Sequence, residues 1–130
     1  MAASKKLTMG GTALTQFVPD LNGWVVAMSG DFDGGVFARI VGEPVDKGNG
    51  RSELELEHFF TRKDGSTIQT RDKAVLQTIA GHERVYVNAF YNVVKTTGAF
   101  EGLSGKFESW GVAEPSTGRG ILRFSGELGG

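Results

Sequence analysis

The sequence predicts an all-β fold, an eight-stranded antiparallel β-barrel occupying residues 1–130 as one domain. Three observations carry this prediction. Apolar and polar residues alternate along most of the chain, the period of a half-buried strand, and no stretch holds a helical apolar stripe over three turns. Turn signals recur every ~10 to 15 residues, the spacing of a sandwich or barrel. Glycine makes up 20 of the 130 residues, about double the usual ~7%, with no Gly-x-y period, as many tight turns and bulges require. Eight strands suffice to close a barrel, which removes the exposed edges that invite aggregation.

The elements follow in order. A weak first strand falls near Leu7–Phe17. Strands from Trp24 to Phe32 and from Val36 to Pro44 flank Asp33-Gly34-Gly35. Ser52–Arg62 and Ser66–Ile79 form a longer pair around Lys63-Asp64-Gly65. Glu83–Lys95 is reached through Gly81-His82, with glycine first as a two-residue type II′ turn demands. Lys106–Glu114 and Arg119–Leu128 flank Pro115-Ser116-Thr117-Gly118.

These turns assign faces, because opposed residues on paired strands share a side of the sheet. A three-residue loop ending at Gly65 pairs Arg62 with Ser66, which sets Leu54 against Ala74, Leu56 against Asp72, His58 against Thr70 and Phe60 against Ile68. Glu53, Glu55, Glu57, Gln69, Arg71 and Lys73 take the other face, in water. The Gly81-His82 turn sets Asp72 against Tyr91 and brings Val85, Val87, Ala89 and Val93 inside. Trp24, Val26, Met28, Ala38 and Ile40 face inward from the Asp33-Gly34-Gly35 hairpin. In the last pair Phe107, Ser109 and Gly111 share a face with Leu122, Phe124 and Gly126, although Trp110, Val112 and Ile121 form a rival apolar face. Phe37, Phe59, Val75, Tyr86 and Phe90 fall outside, and a patch of that kind points to association.

Composition excludes several classes of function. The 14 Lys+Arg against 15 Asp+Glu leave no cationic excess for phosphate neutralisation, so neither nucleic acid nor a membrane surface is the expected partner. Without cysteine there is no disulfide, thiolate metal site or cysteine nucleophile. The two histidines, His58 and His82, lack metal-ligand spacing, so no metal is expected. His82 belongs to a solvent-exposed turn. Asp31-Phe32-Asp33-Gly34-Gly35 lacks the third acidic position and closing Glu of a calcium loop, and reads as turn chemistry. No apolar run nears the ~18 residues of a membrane span, and the start lacks a signal-peptide core, so a cytoplasmic location is expected.

One segment is more specific than periodicity. Thr97-Gly98-Ala99-Phe100-Glu101-Gly102-Leu103-Ser104-Gly105, followed by the strand from Lys106, resembles the T-G-x-F-x-G-x-x-G signature of allene oxide cyclase-like barrels, which include dirigent proteins and small bacterial barrel proteins. The resemblance implies an eight-stranded barrel with a central apolar cavity, assembled as a dimer or trimer. It further implies cofactor-free steering of a small hydrophobic molecule toward one product. The motif itself is structural: its glycines permit bends at the barrel rim, and Phe100 plugs inward. It brings no counterpart of the family's charge-stabilising pocket residues, so that family's own cyclisation is not implied.

The inner face carries three polar groups, His58, Asp72 and Tyr91. Asp72 lies opposite Tyr91 and diagonal to His58, within side-chain reach at ~7–8 Å between backbones. Such a group in an enclosed site can give or take a proton, with Trp24, Met28, Leu56, Phe60 and Phe124 as the substrate-binding wall. The expected function is therefore a cofactor-independent cyclase, isomerase or lyase acting on a small hydrophobic organic molecule held in a cavity of ~300 Å³ or more. Two alternatives stand beside it. The trio also reads as a satisfied hydrogen-bond network that fixes register, within a lipocalin-like carrier or a filled structural barrel.

Overall fold

A computed structural model describes residues 5–130. They form nine strands: β1 (Lys6–Thr8), β2 (Gly11–Val18), β3 (Gly23–Gly30), β4 (Gly34–Gly48), β5 (Arg51–Arg62), β6 (Thr67–Thr78), β7 (Val85–Thr96), β8 (Lys106–Glu114) and β9 (Arg119–Gly129). Each strand from β2 to β9 pairs antiparallel with the next, and β9 returns to β2, so eight strands close into a barrel. The ninth, β1, continues β2 along β9 in one register, with Thr8 opposite Glu127 and Gly11 opposite Phe124. The first strand is thus a single line interrupted at Met9 and Gly10, where the Asp31 carboxylate accepts the Gly10 N–H at 3.1 Å. No helix among the described residues is long and apolar enough to cross a membrane.

The β5–β6 hairpin has the register its turn predicts, with Leu54 opposite Ala74, Leu56 opposite Asp72 and His58 opposite Thr70. Gly65 supplies the positive φ of 87° at the end of the loop, and Asp64 Oδ1 accepts the Ser66 N–H at 3.0 Å. The β8–β9 register is likewise as predicted, and the rival apolar face of Trp110 and Ile121 points to solvent.

Three local predictions are corrected. The β3–β4 hairpin does not turn at Asp33-Gly34-Gly35: β3 ends at Gly30, Met28 lies opposite Gly34, and Val36 faces Val26 rather than Phe32. The slip is six residues, an even number, so Trp24, Val26 and Met28 still point inward. It releases Phe32 into the loop, where the ring is buried against Phe60 and Phe100, with centroids 5.6 and 5.8 Å away. Burying that aromatic ring offsets the ladder bonds that a longer hairpin would add. The β6–β7 connection is not a two-residue turn either. It runs from Ile79 to Arg84, with Gly81 at φ 74° in a turn closed by His82 N–H to Ile79 C=O. Its register is nonetheless the predicted one until a bulge at Gln69/Thr70. Finally, β4 runs beyond Pro44 to Gly48, past an irregularity between Val41 and Val45.

The two ends of the barrel differ. One end carries the Asp31–Asp33 loop and the Thr97–Gly105 segment, which fold Phe32, Phe100 and Leu103 into the interior. Gly98 adopts φ +64°, and a Cβ there would lie 2.5 Å from Ser66 Oγ, whose hydroxyl accepts the Ala99 N–H at 2.9 Å. Arg62 closes over the Phe100 ring at 4.6 Å. Phe60, fully buried, sits at the centre of this packing and meets Phe32, His58, Tyr91, Phe107 and Phe124. Phe60→Ala should therefore cost ~3–5 kcal/mol. Urea unfolding would show this as a lower midpoint at unchanged slope, and a loss under ~1 kcal/mol would contradict the packing described.

Candidate functional site

The opposite end of the barrel is less full. Inner positions on β6, β7 and β8 carry small side chains here, with Ala74 opposite Ala89 and Ala113 further along β8. The space they leave is an apolar chamber of about 80 Å³, walled by Trp24, Leu54, Leu56, Leu76, Val87 and Leu122 among others. Trp24, one of the walls, packs edge-on against Phe17 at 4.9 Å. The volume lies well under the ~300–1,000 Å³ of pockets for drug-sized ligands. It falls short of expectation because Phe60, Tyr91, Phe107 and Phe124 occupy the middle of the barrel, their ring centroids 4.6 to 6.4 Å apart, with Phe60 edge-on to the other three.

His58 borders this chamber from β5. Its Nδ1 is hydrogen-bonded to Asp72 Oδ2 of β6, and both side chains are buried. The pair is diagonal, since His58 lies opposite Thr70 and Asp72 opposite Leu56. Tyr91 packs its ring edge-on against the imidazole at 4.9 Å, and Phe60 stacks on it at 5.7 Å. With Nδ1 engaged and the ring wedged between two aromatics, the orientation of the imidazole is set. Nε2 has no hydrogen-bond partner among the described residues, and His58 lines the chamber.

The predicted residues therefore divide. Trp24, Leu56, His58 and Tyr91 line the chamber. Asp72 stands behind His58, while Met28, Phe60 and Phe124 belong to the packed interior and not to the chamber wall. Tyr91 has a different role from the one expected: its hydroxyl is hydrogen-bonded to Ser109 Oγ at 2.7 Å. Burial pushes its phenol well above the ordinary value, opposed by the Ser109 hydrogen bond and reinforced by the Asp72 charge. Tyr91 thus stays a neutral phenol that fixes the ring beside His58. Ser109 is the polar partner that the sequence reading left out of the site, although its place on one face with Phe107 and Phe124 was legible from the last hairpin.

Two buried polar atoms, Asp72 Oδ1 and Thr70 Oγ1, have no hydrogen-bond partner among the described residues. They are inward neighbours on β6, next to the His58 pair. Leaving such atoms unpaired costs ~1–3 kcal/mol each, so this part of the interior is not optimised for stability alone.

Outside the barrel at the same level, an ionic triad ties β4, β5 and β6 together. Arg39 Nη2 lies 2.8 Å from Glu57 Oε2, and Arg71 Nη1 donates to Glu57 Oε1 at 2.8 Å. Glu57 was expected in a solvated row with Glu53 and Glu55; it faces outward, but the two guanidinium groups leave it only 9% exposed. Arg39, Glu57 and Arg71 are direct cross-strand partners, one residue along from Ala38, His58 and Thr70. The triad therefore holds the three strands in register where the His58–Asp72 pair sits.

The buried phenol gives a pH prediction. Above the ordinary tyrosine value of ~10, the unfolded chain loses the phenolic proton while the folded chain keeps it, so stability falls as pH rises. Tyr91→Phe should remove that alkaline loss while costing ~1 kcal/mol at neutral pH through the unpaired Ser109 hydroxyl. Urea unfolding of both proteins between about pH 8 and 11 tests this; equal alkaline slopes would refute it.

No protein-family model, curated protein or solved structure matches this chain, so its functional reading rests on the geometry of the chamber and the His58–Asp72 pair.

Proposed function

We propose that the barrel is a cofactor-independent enzyme that holds a small, mainly hydrophobic organic molecule in the chamber. His58 transfers a proton in an isomerisation, cyclisation or lyase step. The observation that carries this reading is the asymmetry of the imidazole: Nδ1 is anchored to a buried carboxylate, while Nε2 has no hydrogen-bond partner among the described residues in a side chain that lines an apolar chamber. A base oriented by a third group is the arrangement that general acid–base catalysis uses, and it contributes ~10²–10⁴-fold in rate. Asp72 is the positioning residue and His58 the catalytic one. The chamber admits only a few heavy atoms beyond a polar group that reaches the His58 imidazole. Enclosure supplies the remainder, by fixing one conformer of the substrate and excluding water.

A non-catalytic carrier is the second reading. It is favoured by the engagement of Tyr91 with Ser109, which leaves one protonatable group rather than three at the chamber. The resemblance of the Thr97–Gly105 segment to allene oxide cyclase-like barrels is compatible with either, because the segment builds the closed end and not the chamber.

A panel of short-chain ketones, enones, alcohols and epoxides, followed by two-dimensional NMR and by product analysis, separates the readings. Shifts confined to Leu56, His58, Ala74 and Ala89 are expected on binding. Ala89→Leu should abolish them by filling the chamber. His58→Gln should retain binding and lose at least ~100-fold in turnover. If His58→Gln alters affinity alone and no compound is converted, the carrier reading takes its place. If no compound perturbs the chamber residues, both fail.

A further inference from the structure

Two rows stand out among the outward apolar residues, which also include Phe90 and Val94 of β7 and Val45 of β4. Val25, Phe37 and Phe59 run across β3, β4 and β5, with Phe37 and Phe59 stacked at 6.3 Å. The second group is longer. Tyr86, Val112, Ile121 and Leu14 stand directly opposite one another in turn, an unbroken row across β7, β8, β9 and β2. Tyr86, Ile121 and Leu14 are 58%, 48% and 60% exposed, and Trp110 one level along is 43% exposed. Four large apolar side chains so exposed on one face exceed what isolated surface residues explain.

This face has relief as well as composition. On β7, Asn88 donates its Nδ2–H to the Ser109 carbonyl at 2.8 Å, which holds it down against β8. An open trough results, bordered by Val75, Tyr86, Trp110 and Val112. On the other side of the β8–β9 line, Ile121 and Leu14 form a ridge. Two complementary charges flank the same line. Arg123 lies opposite Trp110 and Glu108 opposite Ser125, yet neither charge has a salt bridge or hydrogen bond among the described residues. The arginine–tryptophan stacking that this pairing invites is not formed: the cation–π contact in the structure is that of Arg62 with Phe100.

We propose that this face is the contact between two copies of the chain, related by a two-fold axis along the barrel between β8 and β9. Such an axis lays β9 over β8 of the second copy and β2 over its β7. Ile121 then meets the second copy's Val112, and Leu14 meets its Tyr86, so the ridge of each copy enters the trough of the other. Arg123 comes onto the second copy's Trp110, within reach of its Glu108, and the symmetry repeats every contact. A trough beside a ridge, and a cation beside an anion, on opposite sides of one line make the surface self-complementary, as an isologous dimer requires. The occupant is thus a second copy rather than an unrelated apolar partner, which would leave Arg123 and Glu108 without their opposite charge.

Sedimentation equilibrium of the full chain over about 1 to 100 μM tests the proposal. A dimer is expected. Ile121→Asp should make it monomeric, and Arg123→Glu should raise the dissociation constant at least ~10-fold. Combining Arg123→Glu with Glu108→Arg should restore much of the lost affinity, since each charge then again meets its opposite. All three positions are outward-facing, so circular dichroism and the unfolding midpoint at fixed protein concentration should show intact folding. A monomer throughout the range overturns the proposal. So does an oligomer insensitive to Ile121→Asp and Arg123→Glu, which would place the contact on the Val25–Phe37–Phe59 row, or the absence of recovery in the exchanged pair.

Discussion

Closure of the ring through β9, which pairs with β8 on one side and with β2 and β1 on the other, is the constraint on which everything else depends. Once eight strands are joined edge to edge, no strand can move outward without breaking a ladder of backbone hydrogen bonds, so the interior cross-section is set by the backbone. Whether that interior is filled then depends on side-chain size level by level. Phe32 and Phe100 fill the closed end and Phe60, Phe107 and Phe124 the middle, while at the other end Ala74, Ala89 and Ala113 leave space.

The chemistry sits at the boundary between those halves. His58 stacks on Phe60 toward the packed side and borders the chamber on the other. A buried imidazole–carboxylate pair is seldom an efficient means of stabilising a fold, because desolvating both partners takes back most of what their attraction gives. Here two further polar atoms, Asp72 Oδ1 and Thr70 Oγ1, are unpaired beside it among the described residues. Apolar residues of similar volume at these positions would relieve that cost. Sites that break the local rules of packing in this way are where function concentrates. The outer triad of Arg39, Glu57 and Arg71 acts on the same strands from the solvent side, where two guanidinium forks hold one carboxylate.

Much of this was legible residue by residue. The register of β5 with β6 and of β8 with β9 follows from turn length, and the polar opposite face then turns His58 and Asp72 inward. Between the two apolar faces of β8 and β9, only the structure puts Ser109 and Phe124 inside. The β3–β4 hairpin shows what survives an error. Its turn lies elsewhere than the glycines suggest, yet the slip is even-numbered and Trp24, Val26 and Met28 remain inward. Phe32 was not legible as a plug, because its burial depends on Phe60 and Phe100, far away in the chain. The engagement of Tyr91 with Ser109 was also hidden: it joins different strands, and either hydroxyl could have turned to another neighbour.

The sequence by itself determined which side chains share a face of the sheet, because a period of two is a local property that backbone geometry enforces within each strand. Only the tertiary structure decided how much room those side chains leave and which polar atoms meet. Volume and hydrogen bonding are set by residues that eight strands bring together from across the chain, and no single segment contains that sum. Thus the inward direction of His58 follows from its own hairpin, whereas the chamber it lines also depends on Ala89 and Ala113 of β7 and β8, strands it does not pair with.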